Sequence, residues 1–429
     1  MGARDTALSV LIACRRNGAW SDGALKQQIS REKLSRVDAA LATRLCFGVL
    51  QNRMLLDYWL EPFLRGKVEP AVRDILRLAV YQLHFLDKIP ENAIVNEAVE
   101  QTKRLANPKA AGLVNAVLRN MLRRREMLTL PEDLSIRYSH PSDLVALLRE
   151  NVGEDALESL LASHNGTLQT FVQVNTTVTT FEDTLRSLTD EGYHAQPHDW
   201  LEGCILLTGG SIEQSSAYQN GWIYAQDPAA KLAVMAAGLQ PDMRVLDCCA
   251  APGGKSFAAA ICMGNRGVLL SCDLHAHKIE LMQKGAARLR LSCMEALQQD
   301  ARSLREDWRD GFDAVLADVP CSGLGVIRKK PDIRYKDLAP LSGLPAIQAA
   351  ILDTQASYVK SGGILLYSTC TVLKRENEAV VTAFLERHSD YTAEAFSLTH
   401  GIQAPQGFVT LLPSTHGTDG FFICKLRRR

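Results

Sequence analysis

The sequence predicts a multidomain protein: an all-α bundle first, a small α+β module in the middle, and a C-terminal α/β domain with a Rossmann-like, doubly wound sheet. Three observations lead there. At 429 residues the chain exceeds what one hydrophobic core ordinarily organises. Up to about residue 125, apolar side chains recur at intervals of three and four, with few Gly or Pro inside the runs. From Pro228 onward, short apolar runs alternate with helical patterns, the signature of a largely parallel sheet with crossover helices. The expected divisions are residues 1–128, 129–227 and 228–429.

In the front segment, Leu41, Leu45 and Val49 make one helix face, and Val72, Ile75, Leu76, Val80 and Leu83 another. Pro90, Asn107 and Pro108 fall between such runs, where breaks belong. In the middle, helices are expected over 144–151, 154–161 and 182–189, with strands over 168–174 and 203–207. The C-terminal strands are expected at 244–248, 267–273, 295–300, 312–319, 363–368, 408–412 and 421–426. A loop and not a helix joins the last two, so they should pair antiparallel at one edge of the sheet.

Composition sets the class. With 46% hydrophobic and 22% charged residues, the chain reads as a soluble globular protein. No apolar run reaches the eighteen or so residues that cross a bilayer, so no membrane partner is expected. The 11 cysteines include no C-x-x-C pair and no His/Cys grouping at zinc spacing, so free thiols, no metal and a cytoplasmic location are expected. Net charge is zero, yet it is unevenly spread: +9 over 1–125, −13 over 126–230 and +4 over 231–429. A surface polarised in this way can steer a polyanion. A monomer is expected.

The turn Asp247-Cys-Cys-Ala-Ala-Pro-Gly-Gly-Lys255 follows a strand and opens a helix. Gly253 and Gly254 let backbone approach a ligand, and the helix N-terminus beyond offers free N–H groups. Asp273 is expected to close the next strand, 26 residues after Asp247 and about where such folds bind a ribose hydroxyl. Asp300 and Asp318 are expected to close the third and fourth strands. Neither G-x-G-x-x-G nor a P-loop is present, which disfavours NAD and nucleoside triphosphates. Acidic strand ends without phosphate-binding groups instead suit a cofactor rich in hydroxyls and cationic at sulfur, S-adenosylmethionine.

Two cysteines point to the reaction. Cys321, in Asp318-Val-Pro-Cys-Ser-Gly323, and Cys370, in Ser368-Thr-Cys-Thr371, each follow a buried-strand pattern, so both thiols should emerge at one sheet edge. Carbon 5 of a cytosine is too electron-poor to attack a methyl donor. A thiolate added at carbon 6 makes it nucleophilic, and a second base must later take the carbon 5 proton. Asp318, three residues before Cys321, can hydrogen-bond ring nitrogen 3. Cys248 and Cys249 read as packing or backbone-contact positions.

These segments, with Gly323-Leu-Gly-Val-Ile-Arg328, Lys330-Pro-Asp-Ile-Arg334 and Asp419-Gly-Phe-Phe422, resemble the RNA 5-methylcytosine methyltransferases over about 200 residues. Ile89-Pro-Glu-Asn-Ala-Ile-Val-Asn-Glu-Ala-Val-Glu100 and Gly112-Leu-Val-Asn-Ala-Val-Leu-Arg119 resemble the RNA-binding NusB factor. A NusB-like bundle before this catalytic domain resembles the RsmB/Sun (Fmu) family, whose members methylate a cytidine of small-subunit ribosomal RNA. Tyr138-Ser-His-Pro141 and Tyr224-Ala-Gln-Asp227 are similar to that family's middle segments. The resemblance implies Cys370 as nucleophile and Cys321 as the aid to product release. It implies cofactor contacts at Cys249, Ala250, Ala251, Pro252, Gly253, Gly254, Lys255, Asp273, Asp300 and Asp318. Ser256 stands where threonine is usual, Val319 where alanine is common and Lys278 where arginine is frequent. None of these removes a reactive group.

Expected phosphate contacts are Arg328, Lys329, Lys330 and Arg334, with Lys336, beside the Cys321 loop. Lys103, Arg104, 123–125 and 427–429 are further basic clusters. The target base should be flipped out or already unstacked. Competing readings are a transfer-RNA substrate, a non-catalytic RNA-binding assembly factor, and methylation of an exocyclic nitrogen. The last needs an Asn/Asp-Pro-Pro-aromatic strand end, where this chain has Asp-Val-Pro-Cys.

Overall fold

The structure, a computed structural model, describes residues 2–208 and 210–429. It forms two compact units: Met1–Gly166 with Ile327–Lys336, and Thr167–Val326 with Asp337–Arg429.

The first unit is helical: α1 (Ala3–Asn17), α2 (Ser21–Glu32), α3 (Arg36–Gln51), α4 (Arg53–Leu60), α5 (Pro70–Phe85), α6 (Glu91–Leu105), α7 (Ala111–Arg123), α8 (Leu134–Arg137), α9 (Ser142–Val152) and α10 (Glu154–His164). Local signals set several ends. Gly18 ends α1 in the left-handed conformation, and the Ser35 side chain accepts from the Asp38 N–H to start α3. The i, i+3/i+4 apolar faces bury Leu8, Leu45, Leu56, Leu60, Ile75 and Leu76 completely.

The segment Ile327–Lys336 is built into this unit by capping helix ends. Asp332 accepts from the Ser21 N–H (3.2 Å) and Oγ (2.5 Å) at the start of α2, where a negative charge meets the positive helix end. Arg334 does the reverse. Its Nη1 donates to Gln51 O (2.9 Å), Tyr138 O (3.2 Å), Ser139 O (3.4 Å) and Asn165 Oδ1 (2.8 Å), and its Nη2 to His164 O (3.3 Å). Gln51 and His164 are the last residues of α3 and α10, whose terminal carbonyls have no partner within the helix. Tyr335 Oη donates to Leu50 O (2.8 Å).

This corrects one expectation. Arg334 is only 1% exposed, and its guanidinium is spent on carbonyls of its own unit, so it does not offer itself to a phosphate. Arg328 is buried as well, whereas Lys329 is half-buried and Lys330 exposed. The same capping ties α8–α10 to the earlier helices, so residues 129–166 group with them rather than with the strands that follow.

The second unit begins with β1 (Thr170–Val174), α11 (Phe181–Asp190), β2 (His194–Pro197), β3 (Cys204–Thr208), α12 (Ser216–Gln219) and β4 (Ile223–Ala225). These strands form an antiparallel sheet of order β2-β3-β1-β4. There follow α13 (Pro228–Ala237), β5 (Arg244–Asp247), α14 (Gly254–Cys262), β6 (Val268–Asp273), α15 (Ala276–Leu289), β7 (Met294–Gln298), β8 (Phe312–Asp318) and α16 (Leu344–Ala356). The chain closes with β9 (Val359–Thr369), α17 (Glu378–Arg387), β10 (Tyr391–Ala393), β11 (Phe396–Ser397), β12 (Gln403–Ala404), β13 (Phe408–Leu411), α18 (Pro413–His416) and β14 (Phe421–Arg428).

The large sheet has the order β10-β14-β9-β8-β5-β6-β7, with β13 also paired to β14. Strands β7, β6, β5, β8 and β9 run parallel, and β14 runs antiparallel to β9, β10 and β13. The doubly wound sheet is therefore as expected, and β13 and β14 do pair antiparallel. β14 itself lies inside the sheet, between β9 and β10. Alternation fills both faces: Val245, Leu316, Leu366 and Ile423 face one core, and Leu246, Val315, Leu365 and Phe422 the other. Phe171, Cys204 and Tyr224 of the smaller sheet join the first of these cores.

Candidate active site

The parallel strands deliver their C-terminal ends to one edge, where ligands bind in such sheets. Asp247 ends β5, Asp273 ends β6, Asp318 ends β8 and Thr369 ends β9. One expectation shifts: β7 ends at Gln298, which pairs with Asp273, so Asp300 lies in the following turn and not on a strand. There its carboxylate takes three bonds from Arg302, from Nε at 3.1 Å, Nη2 at 2.8 Å and the backbone N–H at 2.9 Å, which hold it below the usual carboxylate range. Asp273 is buried and accepts from the His275 N–H at 3.1 Å, with Lys278 Nζ at 3.4 Å.

The turn after β5 is compact. Gly253 adopts φ +107°, and a Cβ there would lie 2.6 Å from the Phe257 ring, so only glycine fits. Gly254 begins α14. Cys249, Ala250, Ala251, Pro252, Gly254, Lys255, Asp318, Asp247 and Gln226 line a cavity of about 190 Å³. Asp273 and Asp300 are not among its lining residues. Gln226 Nε2 is buried with no hydrogen-bond partner among the described residues, an orphan donor at the cavity wall.

Asp247 is fully buried and accepts from Ser256 Oγ at 2.7 Å. Burial, with help from Asp318, pushes its carboxyl up to about 7. A folded-state value above the unfolded one means that the folded protein binds the extra proton. This group's contribution to stability therefore falls as pH rises from about 4 to about 7, by roughly 3 to 4 kcal/mol at most. Asp247→Asn keeps the Ser256 bond and removes the titration. The melting temperature of the variant should gain on that of the parent between pH 5 and pH 8, and a constant gap would contradict the assignment.

Asp318 is held from two sides, by Lys255 Nζ (2.7 Å to Oδ2) and Ser368 Oγ (2.9 Å to Oδ1). Burial works against the Lys255 ammonium. The charge and hydrogen bond of Asp318, with smaller contributions from Cys370 and Asp247, nonetheless keep it above the ordinary lysine range.

The two predicted thiols meet. Cys321 Sγ and Cys370 Sγ are 3.1 Å apart, and both are half-buried. The hydrogen bond to Cys370, burial, and the charges of Cys370, Asp318 and Glu376 push the Cys321 thiol well up. The turns interlock: the Gly325 N–H donates to Cys370 O (3.0 Å) and the Gly420 N–H to Gly325 O (2.9 Å). A Cβ on Gly325 would sit 1.9 Å from Gly420 O, so this crossing requires glycine.

Sequence reasoning missed the shell behind the thiols. Gln348, Glu376 and Asn377 are wholly buried and bind the cysteine turns. The available signal was the polar run Glu376-Asn-Glu378 standing directly before the apolar run Ala379-Val-Val381.

The chain matches the sequence profile of 16S rRNA methyltransferase RsmB/F over residues 234–427. It also matches the NusB family over 1–123 and the RsmF/B-like ferredoxin-like domain over 140–212. It is 38% identical, across 99% of its length and 98% of the relative's, to the probable ribosomal RNA small subunit methyltransferase B of Bacillus subtilis. Among solved structures, PH0851 superposes with a TM-score of 0.82 at 23% identity, covering 100% of this chain and 98% of that one. NSun6 from Pyrococcus horikoshii, solved with SFG, gives 0.61 at 20% identity, covering 67% and 98%. The last two show likeness of fold. With paired thiols beside a Lys–Asp couple at the edge of a doubly wound sheet, and a curated relative matched end to end, this chain belongs to the ribosomal RNA small subunit methyltransferase B family.

Proposed function

We propose that the protein transfers a methyl group from S-adenosylmethionine to carbon 5 of a cytidine in small-subunit ribosomal RNA, through a covalent bond between Cys370 and carbon 6. The observation that carries this reading is the 3.1 Å pair of thiols, Cys321 and Cys370. A methylation at nitrogen or at a ribose hydroxyl has no use for two such groups.

The cavity fits the cofactor's chemistry. Its wall combines the orphan Gln226 donor with the Asp318 carboxylate, matching a ligand that carries both acceptors and donors. Cys249–Lys255 and Asp318 would hold it, with Asp273 from the neighbouring strand end and Asp300 from the turn after β7 completing the site. SFG, found with a structural neighbour, is an analogue of S-adenosylmethionine. When bound, that cofactor supplies an electrophilic methyl carbon.

The chain's own residues do the rest. The Lys255 ammonium favours the Cys370 thiolate. That thiolate adds to carbon 6, forming the C–S bond and moving the electron pair of the 5,6 double bond onto carbon 5. Asp318, held by Lys255 and Ser368, relays a proton from the Lys255 ammonium to ring nitrogen 3 and so neutralises the negative charge that develops there, and the proton returns when the double bond re-forms. Once Cys370 is a neutral thioether, its hydrogen bond and its charge no longer hold the Cys321 proton, and only burial and the charges of Asp318 and Glu376 still do. Cys321 then ionises to solvent and takes the carbon 5 proton. The carbon 6–sulfur bond breaks as the double bond re-forms, and its electron pair returns to Cys370.

Exposed Lys330 and half-buried Lys329 are the proposed phosphate contacts of the 327–336 segment, with exposed Lys103 and Arg104 on α6. The test is methyl transfer from labelled S-adenosylmethionine to unmodified small-subunit ribosomal RNA and to transfer RNA, with the product nucleoside identified. 5-Methylcytidine in the ribosomal RNA alone is expected. The same product in transfer RNA alone would move the substrate, and no incorporation into either would support an assembly role.

A further inference from the structure

Two consecutive buried residues bracket the thiols, one cysteine each. Asn377 accepts from Thr369 Oγ1 at 2.6 Å and donates through Nδ2 to Thr371 O at 3.0 Å, so it grips the residues on either side of Cys370. Glu376 Oε2 accepts from the Ser322 N–H at 2.9 Å and from Gln348 Nε2 at 2.9 Å. The same Gln348 Nε2 donates to Pro320 O at 3.0 Å. Glu376 and Gln348 therefore grip the residues on either side of Cys321. The two turns are joined by Ser322 Oγ donating to Thr371 Oγ1 at 2.7 Å, and Tyr367 Oη anchors the bracket on Glu376 O at 2.6 Å.

Packing alone does not explain a carboxylate here. Glu376 is 0% exposed, and its Oε1 has no hydrogen-bond partner among the described residues. Burying such a group is costly, and a glutamine of the same shape would satisfy Ser322 at lower desolvation cost. What the carboxylate adds is a negative charge held on the N–H of Ser322, the residue after Cys321, where it adds to Cys370 and Asp318 in opposing a Cys321 thiolate.

We propose that Glu376 and Asn377 are positioning residues for the thiol pair: Asn377 aims Cys370, while Glu376 aims Cys321 and by its charge opposes a second thiolate beside the first. The inference rests on the roles given above to Cys370 and Cys321. Addition and release each need one sulfur placed to within fractions of an ångström, and a displacement of about 1 Å costs on the order of 100-fold in rate.

The test compares Asn377→Ala, Glu376→Ala and Glu376→Gln with the parent in two assays. One is iodoacetamide alkylation across pH, read separately at Cys321 and Cys370 by mass spectrometry without RNA or cofactor. The other is steady-state methyl transfer with trapping of RNA–protein adducts. Asn377→Ala should lower kcat by about 100-fold with an unchanged KM for S-adenosylmethionine, because the cavity residues are untouched. Glu376→Ala should accumulate the covalent adduct. Glu376→Gln, which keeps the shape, should not accumulate the adduct that Glu376→Ala does, while its Cys321 alkylation profile moves to lower pH. Folded alanine variants with parental kcat and no adduct would overturn the bracket. An unmoved Cys321 profile in Glu376→Gln would overturn the charge, even if both alanine variants failed to fold. A parent enzyme that methylates no RNA would instead overturn the proposed function, and the alkylation profiles would still decide the bracket.

Discussion

Cys370→Ala is expected to abolish methyl transfer, by roughly 10⁴-fold or more, while leaving S-adenosylmethionine binding intact. In the proposed reaction, loss of the nucleophile removes the route by which carbon 5 becomes reactive, so binding and orientation have nothing left to accelerate. Cofactor binding should survive because Cys370 is not among the residues lining the cavity beside the Cys249–Lys255 turn. Cys321→Ala should behave in the opposite manner: addition and methylation proceed, the carbon 5 proton stays, and a denaturant-resistant RNA–protein adduct accumulates. Gel mobility of labelled RNA after denaturation separates the two. Normal turnover by Cys370→Ala would sink the mechanism, and an adduct in that variant instead would exchange the roles of the two thiols.

The second large effect belongs to Arg334. Arg334→Met keeps much of the volume but strips the donors from the terminal carbonyls of α3 and α10 and from Asn165. Buried carbonyls left without partners cost about 1–3 kcal/mol each, so a loss of roughly 3–5 kcal/mol in local stability is expected. Burial lowers the Arg334 pKa to about 10, so it remains cationic at neutral pH and complements the negative helix ends. Native-state hydrogen exchange should show protection at the ends of α3 and α10 falling by at least about 100-fold. Arg334→Lys should recover only part, since one ammonium cannot reach carbonyls arranged for a planar fork. Unchanged exchange in Arg334→Met would mean that the helix ends are held by something else.

Arg334 also shows where sequence reading stops. In sequence, Arg328, Lys329, Lys330 and Arg334 are one basic run beside Cys321, and a run of cations reads as a surface for phosphates. Folding separates them. Two guanidiniums go inward and two lysines stay outside or partly so, because the carbonyls that Arg334 satisfies come from helix ends more than a hundred residues away in the chain. Asp300 is a milder case. Its spacing suggested a strand end, but pairing of β7 stops at Gln298, and a local Arg302 claims the carboxylate.

By itself the sequence determined the helical front, the doubly wound sheet, the glycine turn after β5 and the cysteines at two strand ends. Each of these rests on short-range physics: apolar periodicity, the conformational freedom of Gly253, and the rule that parallel strands end at one edge. Only the tertiary structure decided that the two sulfurs lie 3.1 Å apart, that Lys255 and Ser368 hold Asp318, and that Glu376 and Asn377 grip the two cysteine turns. Those contacts join residues from strands and helices distant in the chain, and their distances depend on register and packing, which no local pattern encodes.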